Sequence, residues 1–160
     1  MGSRPNNLNL AYIAGFLDGD GSLMLQVKRR SDTVKKWRIM ATICLYQDSR
    51  HSRPLSWIRK ELGIGYISKR NDGITELRIN GYDQVTAILD KLIPYIRFKK
   101  IKVKSILEAL RLIKCKDIEK FTGDDYKRLI NLLLKVQKSN YQSPYKKTKE
   151  DLEKIFGLTP

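Results

Sequence analysis

Residues 12–22 read Tyr-Ile-Ala-Gly-Phe-Leu-Asp-Gly-Asp-Gly-Ser. Tyr12–Asp18 is a mostly apolar run of helical character, yet Gly15 and Gly19 stand four residues apart and so share one helix face. Each glycine inside a helix costs roughly 0.5–1 kcal/mol relative to alanine. With Ala11 they leave a stripe without side chains, on which another backbone can lie close. The run ends in two carboxylates, Asp18 and Asp20, where the helix macrodipole already disfavours negative charge. A divalent metal at a two-helix interface is one reason for a helix to end in this way.

The 160 residues suffice for one ordinary domain with a real core, and 41% hydrophobic content fits a folded chain. Charge is the outlier: 32 Lys and Arg against 17 Asp and Glu give +15. That excess calls for a polyanion, nucleic acid before an acidic membrane surface. No apolar run approaches the roughly 20 residues a membrane helix needs, so no membrane partner is expected. The segment Met1–Leu10 is polar and carries no secretory signal. Cys44 and Cys115 lack metal-type spacing and fit a reduced, intracellular, DNA-associated setting. His51 is the single histidine, which leaves zinc chemistry and a histidine triad without support.

After Gly21 the periodicity changes from helical to alternating. Leu23, Leu25 and Val27 point one way and Met24, Gln26, Lys28 and Arg30 the other. A polar loop, Ser31–Lys36, leads to a second alternation. Trp37, Ile39, Ala41, Ile43 and Leu45 take one face; Arg38, Met40, Thr42, Cys44 and Tyr46 take the other. A short helix over Leu55–Leu62 stops at Gly63. Tyr66–Arg70 and Thr75–Asn80 form a second hairpin around Asn71-Asp72-Gly73. Its outward residues are Tyr66, Ser68, Arg70, Glu76 and Arg78. Helices are expected over Tyr82–Ile93 and over Lys99–Lys114, the latter with Ile101, Ile106, Leu107, Leu110 and Ile113 as its apolar positions. Thr122 caps a further helix to about Ser139, and Thr148 with Asp151 forms a capping box for a last helix closed by Gly157. The fold class is α+β: an antiparallel sheet of two hairpins, helices packed on one face, the other face open. Between Lys28 and Arg70 there are 12 basic residues against three acidic ones, which makes that open face the expected nucleic-acid surface.

Two common loop motifs fail here. An EF-hand starting at Asp18 would have Leu23 at its sixth position in place of Gly and Arg29 at its twelfth in place of Glu. A nucleotide-binding glycine loop follows a strand and opens a helix, the reverse of this order. The whole string Ile-Ala-Gly-Phe-Leu-Asp-Gly-Asp-Gly (residues 13–21) instead resembles the signature of the LAGLIDADG homing endonucleases. It matches at Ala14, Gly15, Asp18, Asp20 and Gly21. The element order is also similar to that family's over about residues 8–115. On this resemblance residues 1–160 form a single αββαββα endonuclease domain, with a C-terminal helical part at about 122–157.

The resemblance implies a homodimer, because chains with one motif pair their motif helices. The interface would use Ala11, Tyr12, Gly15, Phe16, Asp18 and Gly19. It implies a saddle-shaped sheet over double-stranded DNA with a long pseudo-palindromic target. Asp20 would be the metal ligand, Gly19 would supply a carbonyl, and two or more Mg²⁺ (or Mn²⁺) ions would be shared across the interface. Gln47 would order water around the metals, and Lys99 would stabilise developing phosphate charge. The family can carry a basic residue near position 51, which leaves Arg50, His51 and Arg53 at the periphery of the site. The expected reaction is Mg²⁺-dependent hydrolysis of both DNA strands by an intron-encoded enzyme of intron homing.

Sequence would be read by the outward strand residues. Arg30, Arg38, Arg70 and Arg78 suit bidentate bonds to guanine, Gln26 suits adenine, and Thr42 and Met40 offer apolar contacts. Met24, Lys28, Cys44, Tyr46, Tyr66, Ser68 and Glu76 complete the face. Other uses of such a fold are an intron-RNA maturase, whose partner is intron RNA, and a non-catalytic DNA-binding regulator. A structural RNA-binding protein would explain the charge but not a glycine-spaced helix ending in carboxylates.

Overall fold

Helix α1 spans Asn7–Gly19, starting five residues before the apolar run at Tyr12. The side chain of Asn6 accepts the Leu8 amide and so caps the first turn. The computed structural model describes residues 6–32, 34–140 and 145–158. Residues 1–5 of the polar N-terminal segment and residue 33 of the expected loop lie outside it.

The remaining elements follow the periodicities closely. They are β1 (Ser22–Arg29), β2 (Trp37–Asp48), α2 (Arg53–Leu62), β3 (Tyr66–Lys69), β4 (Ile74–Asn80), α3 (Tyr82–Leu92), α4 (Lys100–Cys115), α5 (Gly123–Lys138) and α6 (Lys149–Phe156). Short 3₁₀ turns at Ser49–His51 and Ile118–Lys120 were not foreseen. Gly63 closes α2 at φ 71°, a left-handed conformation that glycine adopts without steric cost. The expected capping box of Thr148 with Asp151 forms, and the expected cap at Thr122 proves to be a second box, with Asp125. The four strands make one sheet in the order β1-β2-β4-β3. β4 runs antiparallel to β2, with Cys44 opposite Arg78 and Tyr46 opposite Glu76. It also runs antiparallel to β3, with Tyr66 opposite Arg78 and Ser68 opposite Glu76.

The chain divides into two compact units, and the strands β1 and β2 contribute to both. The first unit holds the described residues up to Met24 and Ala41–Lys100. Its core joins Ile13, Ala14 and Leu17 of α1 to Leu55 and Ile58 of α2, Val85, Ile88 and Leu89 of α3, and the strand residues Leu23, Ile43, Leu45, Leu77 and Ile79. One sheet face is thus covered by helices, as the alternation predicts. The second unit holds Leu25–Met40 and the described residues from Ile101 onward. Here Leu25, Val27 and Ile39 are buried with the apolar stripes of α4 and α5 and with Leu152 and Phe156 of α6. Trp37 meets Phe156 edge to face, the packing role expected of it. Ile101 departs from its expected place: it is 77% exposed, while Lys102 is buried and bonds Asn140. In the first turn of α4 it is Val103, fully buried, that joins the apolar stripe, and Ile101 faces away from it.

Gly21, between α1 and β1, is fixed by close approach and not by its φ. A Cβ there would stand 2.6 Å from Leu17 Cδ1, 2.9 Å from Leu17 Cα and 2.9 Å from Leu45 Cδ2. The backbone atom among these cannot give way. Gly21→Ala is expected to lower stability by about 1–3 kcal/mol in urea unfolding, and an unchanged midpoint would contradict this packing.

Candidate active site and nucleic-acid face

The two aspartates at the end of α1 have opposite fates. Asp18 is 6% exposed, and its carboxylate accepts three backbone amides from one loop: Arg97 at 2.7 Å, Phe98 at 2.8 Å and Lys99 at 2.7 Å. Burial pushes its pKa up, but the three amides and the Lys99 charge outweigh that and hold it below the ordinary value. Lys99 answers from the other side. Its ammonium donates to the Leu17 carbonyl at 2.8 Å and the Gly21 carbonyl at 2.7 Å. Burial pushes the Lys99 pKa down, opposed by the charges of Asp18 and Asp20. The side chain of Lys99 thereby bridges a carbonyl of the last helical turn, which also accepts the Gly21 amide, and a carbonyl just past the helix end.

Asp20 is exposed, and no side-chain donor among the described residues bonds its carboxylate. Its own amide closes the helix onto Leu17 and Phe16. Beside it, Gly19 is exposed on the same turn. A carboxylate and a carbonyl are hard oxygen donors of the kind Mg²⁺ and Ca²⁺ take, so these residues fit such an ion. Among the described residues no group of three or more His, Cys, Asp or Glu could hold a metal, so one chain offers only part of a coordination shell.

The glycine stripe is open. A Cβ at Gly15 or at Gly19 would meet nothing within 4 Å. Leu8 and Tyr12 on the same side of α1 are 76% and 62% exposed. Ala11 and Phe16 are half-buried, and Tyr12 meets Trp57 edge to face. Gln47 lies within β2, near its end, where a cleft of about 70 Å³ is lined by Tyr12, Phe16, Gln47 and Leu55. Its amide oxygen accepts the Asp48 N–H. The structure thus brings Lys99 onto the Asp18–Gly21 turn and sets Gln47 beside α1 at Tyr12 and Phe16. Arg50 is engaged with Asp48 at 2.7 Å and holds that carboxyl well below its usual range. His51 and Arg53 are exposed at the 3₁₀ turn and at the start of α2.

On the outward sheet face the alternation holds, but exposure does not follow it everywhere. In the second unit Gln26, Lys28, Arg30 and Arg38 are exposed and Met40 is half-buried. In the first unit Tyr66 and Arg70 are exposed, and Met24, Tyr46, Ser68 and Arg78 are half-buried. Three expected DNA contacts are buried in this unit: Thr42, Cys44 and Glu76. Thr42 donates to Asn80 at 2.7 Å. Cys44 is 0% exposed and donates to Glu76, and burial pushes its thiol pKa up. Glu76 accepts from Ser68 and, at 2.9 Å, from Arg78. Longer neighbours cover these three, so they support the face from below. Asn80 is the residue that the alternation Glu76, Arg78, Asn80 already marks as outward. It is exposed and links Thr42 to the Tyr66 hydroxyl. Arg30, Arg70 and Arg78 each pair with a carboxylate two residues away: Asp32, Asp72 and Glu76.

The sequence description of the family called LAGLIDADG endonuclease matches residues 13–115. The chain is 32% identical over 106 residues to DNA endonuclease I-CvuI of Chlorella vulgaris, covering 66% of this chain and 66% of that protein. It is 26% identical over 110 residues to DNA endonuclease I-CreI of Chlamydomonas reinhardtii, covering 69% and 67%. The aligned part therefore spans about two thirds of the length of each of these curated relatives. The fold matches the crystal structure of the homing endonuclease I-CvuI in complex with its target in the presence of 2 mM Ca, with a TM-score of 0.81 at 26% identity over 95% of this chain and 94% of that one.

Asp18→Asn replaces an acceptor of three amides by a group that itself donates. It is expected to lower stability by roughly 2–4 kcal/mol. Because the folded pKa lies below the ordinary 3.8, the contribution is complete above that value and is lost as pH falls through the folded pKa. Urea unfolding should show the gap between parent and variant closing below about pH 4, and a gap independent of pH would contradict the assignment.

Proposed function

Because the chain belongs to the LAGLIDADG endonuclease family, we propose that it is a metal-dependent DNA endonuclease that works as a homodimer, one domain per copy, and cuts both strands of a long pseudo-palindromic target. One observation carries the reading. At the end of α1 the Asp18 carboxylate and the Leu17 and Gly21 carbonyls are bonded to one loop while the Asp20 carboxylate is exposed, and the helix face beside it is bare.

In the homodimer two α1 helices meet along Ala11, Tyr12, Gly15, Phe16 and Gly19. Close approach at the glycines brings both Asp20 carboxylates to one axis, where like charges would repel without a cation. Asp20 and the Gly19 carbonyl of each copy hold Mg²⁺ there. The bound ion supplies charge neutralisation at phosphate and lowers the pKa of bound water, the chemistry of phosphodiester hydrolysis. Gln47 orders water beside α1, and Lys99 bonds the Leu17 and Gly21 carbonyls of the same turn. The relatives are DNA endonucleases by name, and I-CvuI has been crystallised on DNA in the presence of Mg and of Ca. Those facts support the substrate and the class of metal.

The DNA lies against the outward sheet residues. Arg30, Arg70 and Arg78, each steered by a carboxylate, present a fixed fork suited to guanine. Lys28, which makes no bond to an acid among the described residues, is suited to phosphate. A two-fold protein reads an approximately two-fold site.

A duplex recovered by selecting cleaved molecules from a randomised library should be cut in Mg²⁺. Asp20→Asn should abolish cleavage while duplex affinity survives. Retained cleavage would overturn the catalytic assignment. Arg78→Ala should cost about 1–3 kcal/mol at one base-pair position of each half-site, whereas Lys28→Ala should weaken all sequences evenly and reduce the salt slope by about one. Competition binding against single-position variants of the selected duplex separates the two.

A further inference from the structure

The five residues Leu17–Gly21 are held almost entirely by three consecutive residues of a distant loop. The Asp18 carboxylate takes the amides of Arg97, Phe98 and Lys99. The carbonyls of Leu17 and Gly21, on either side, take both observed bonds of the Lys99 ammonium. Gly21 is pinned besides by Leu17 and Leu45, with no room for a Cβ. Between these fixed points stand Gly19 and the Asp20 carboxylate, both exposed.

On the reading of that pair as the metal-holding groups, we infer that Lys99 is a positioning residue. Its ammonium bridges the Leu17 and Gly21 carbonyls and so fixes the direction in which Gly19 and Asp20 meet the cation. The chemistry favours this over a phosphate contact. Two of the three N–H donors are committed at 2.7–2.8 Å to carbonyls at the negative end of a helix, where a cation is stabilised. Releasing the ammonium to a phosphate would take the side-chain donor from the Gly21 carbonyl and leave the Leu17 carbonyl with backbone donors alone. Asp18 does the same work from the other side, so the two residues form one device: an acid held by loop amides, a base held by helix carbonyls. Groups behind metal ligands set metal affinity in this way.

The test uses the full chain on its selected duplex. Ca²⁺ is titrated calorimetrically into the protein–DNA complexes of the parent, Lys99→Met and Asp18→Asn, with thermal melts of each protein. Both variants are expected to bind Ca²⁺ about 10–100-fold more weakly. Cleavage by Lys99→Met should fall at limiting Mg²⁺ and return to near the parent rate at saturating Mg²⁺. Parent-like Ca²⁺ affinity in Lys99→Met, with cleavage about 10²-fold slower at saturating Mg²⁺, would overturn the inference and put the ammonium on the phosphate. Should Lys99→Met melt below the assay temperature, Asp18→Asn decides, since it loosens the same turn and keeps the ammonium; unchanged Ca²⁺ affinity there overturns the inference too. An Asp20→Asn complex that binds Ca²⁺ as well as the parent would mark failure of the underlying metal assignment instead.

Discussion

The rest of the structure depends on how α1 ends. A helix C-terminus already carries partial negative charge, and this one adds two carboxylates within three residues. The conflict is resolved by separating them. Asp18 turns inward, where three amides and a neighbouring cation outweigh the cost of its burial. Asp20 is left in solvent without a side-chain donor. A stable turn and a free acid are thus made from adjacent parts of the same motif, by a loop about 80 residues further along the chain.

The same helix leaves its other obligation unmet within one chain. Ile13, Ala14 and Leu17 are fully buried, yet Leu8 and Tyr12 are largely exposed and the glycine face touches nothing. Two glycines in a helix weaken it, and among the described residues nothing repays that cost by packing there. A second copy would do so. The apolar stripe and the free Asp20 are then two aspects of one interface, since the contact that buries the stripe is also what brings two acids together.

Much of this was legible in the sequence because it is local. Strand alternation, the Thr122 cap, the Thr148–Asp151 capping box and Gly63 each depend on residues a few positions apart, and the strands and the helices α2, α3 and α4 formed within a residue or two of their expected bounds. The α1 start was missed because its signal is a lone Asn6 before a polar turn. At the site, the resemblance set Asp18 at the helix interface and Asp20 on the metal, and the burial of Asp18 against a distant loop was not foreseen. No pattern joins Asp18 to the amides of residues 97–99, which offer only their backbone. Alternation also gives a side chain's direction and not its cover. Thr42, Cys44 and Glu76 do point outward, yet Asn80, Ser68 and Arg78 bond over them. Ile101 errs for a different reason: it stands five residues before Ile106, off the spacing of three and four that Val103 keeps with Ile106 and Leu107.

The shared active site requires that the bare face of α1 be filled by a second copy. Sedimentation equilibrium of the purified chain at micromolar concentration measures this directly. The predicted result is a species of twice the 18.6 kDa chain mass, driven back toward the single chain when Gly15 is replaced by leucine. A chain that sediments at 18.6 kDa throughout and still cuts its DNA would contradict it.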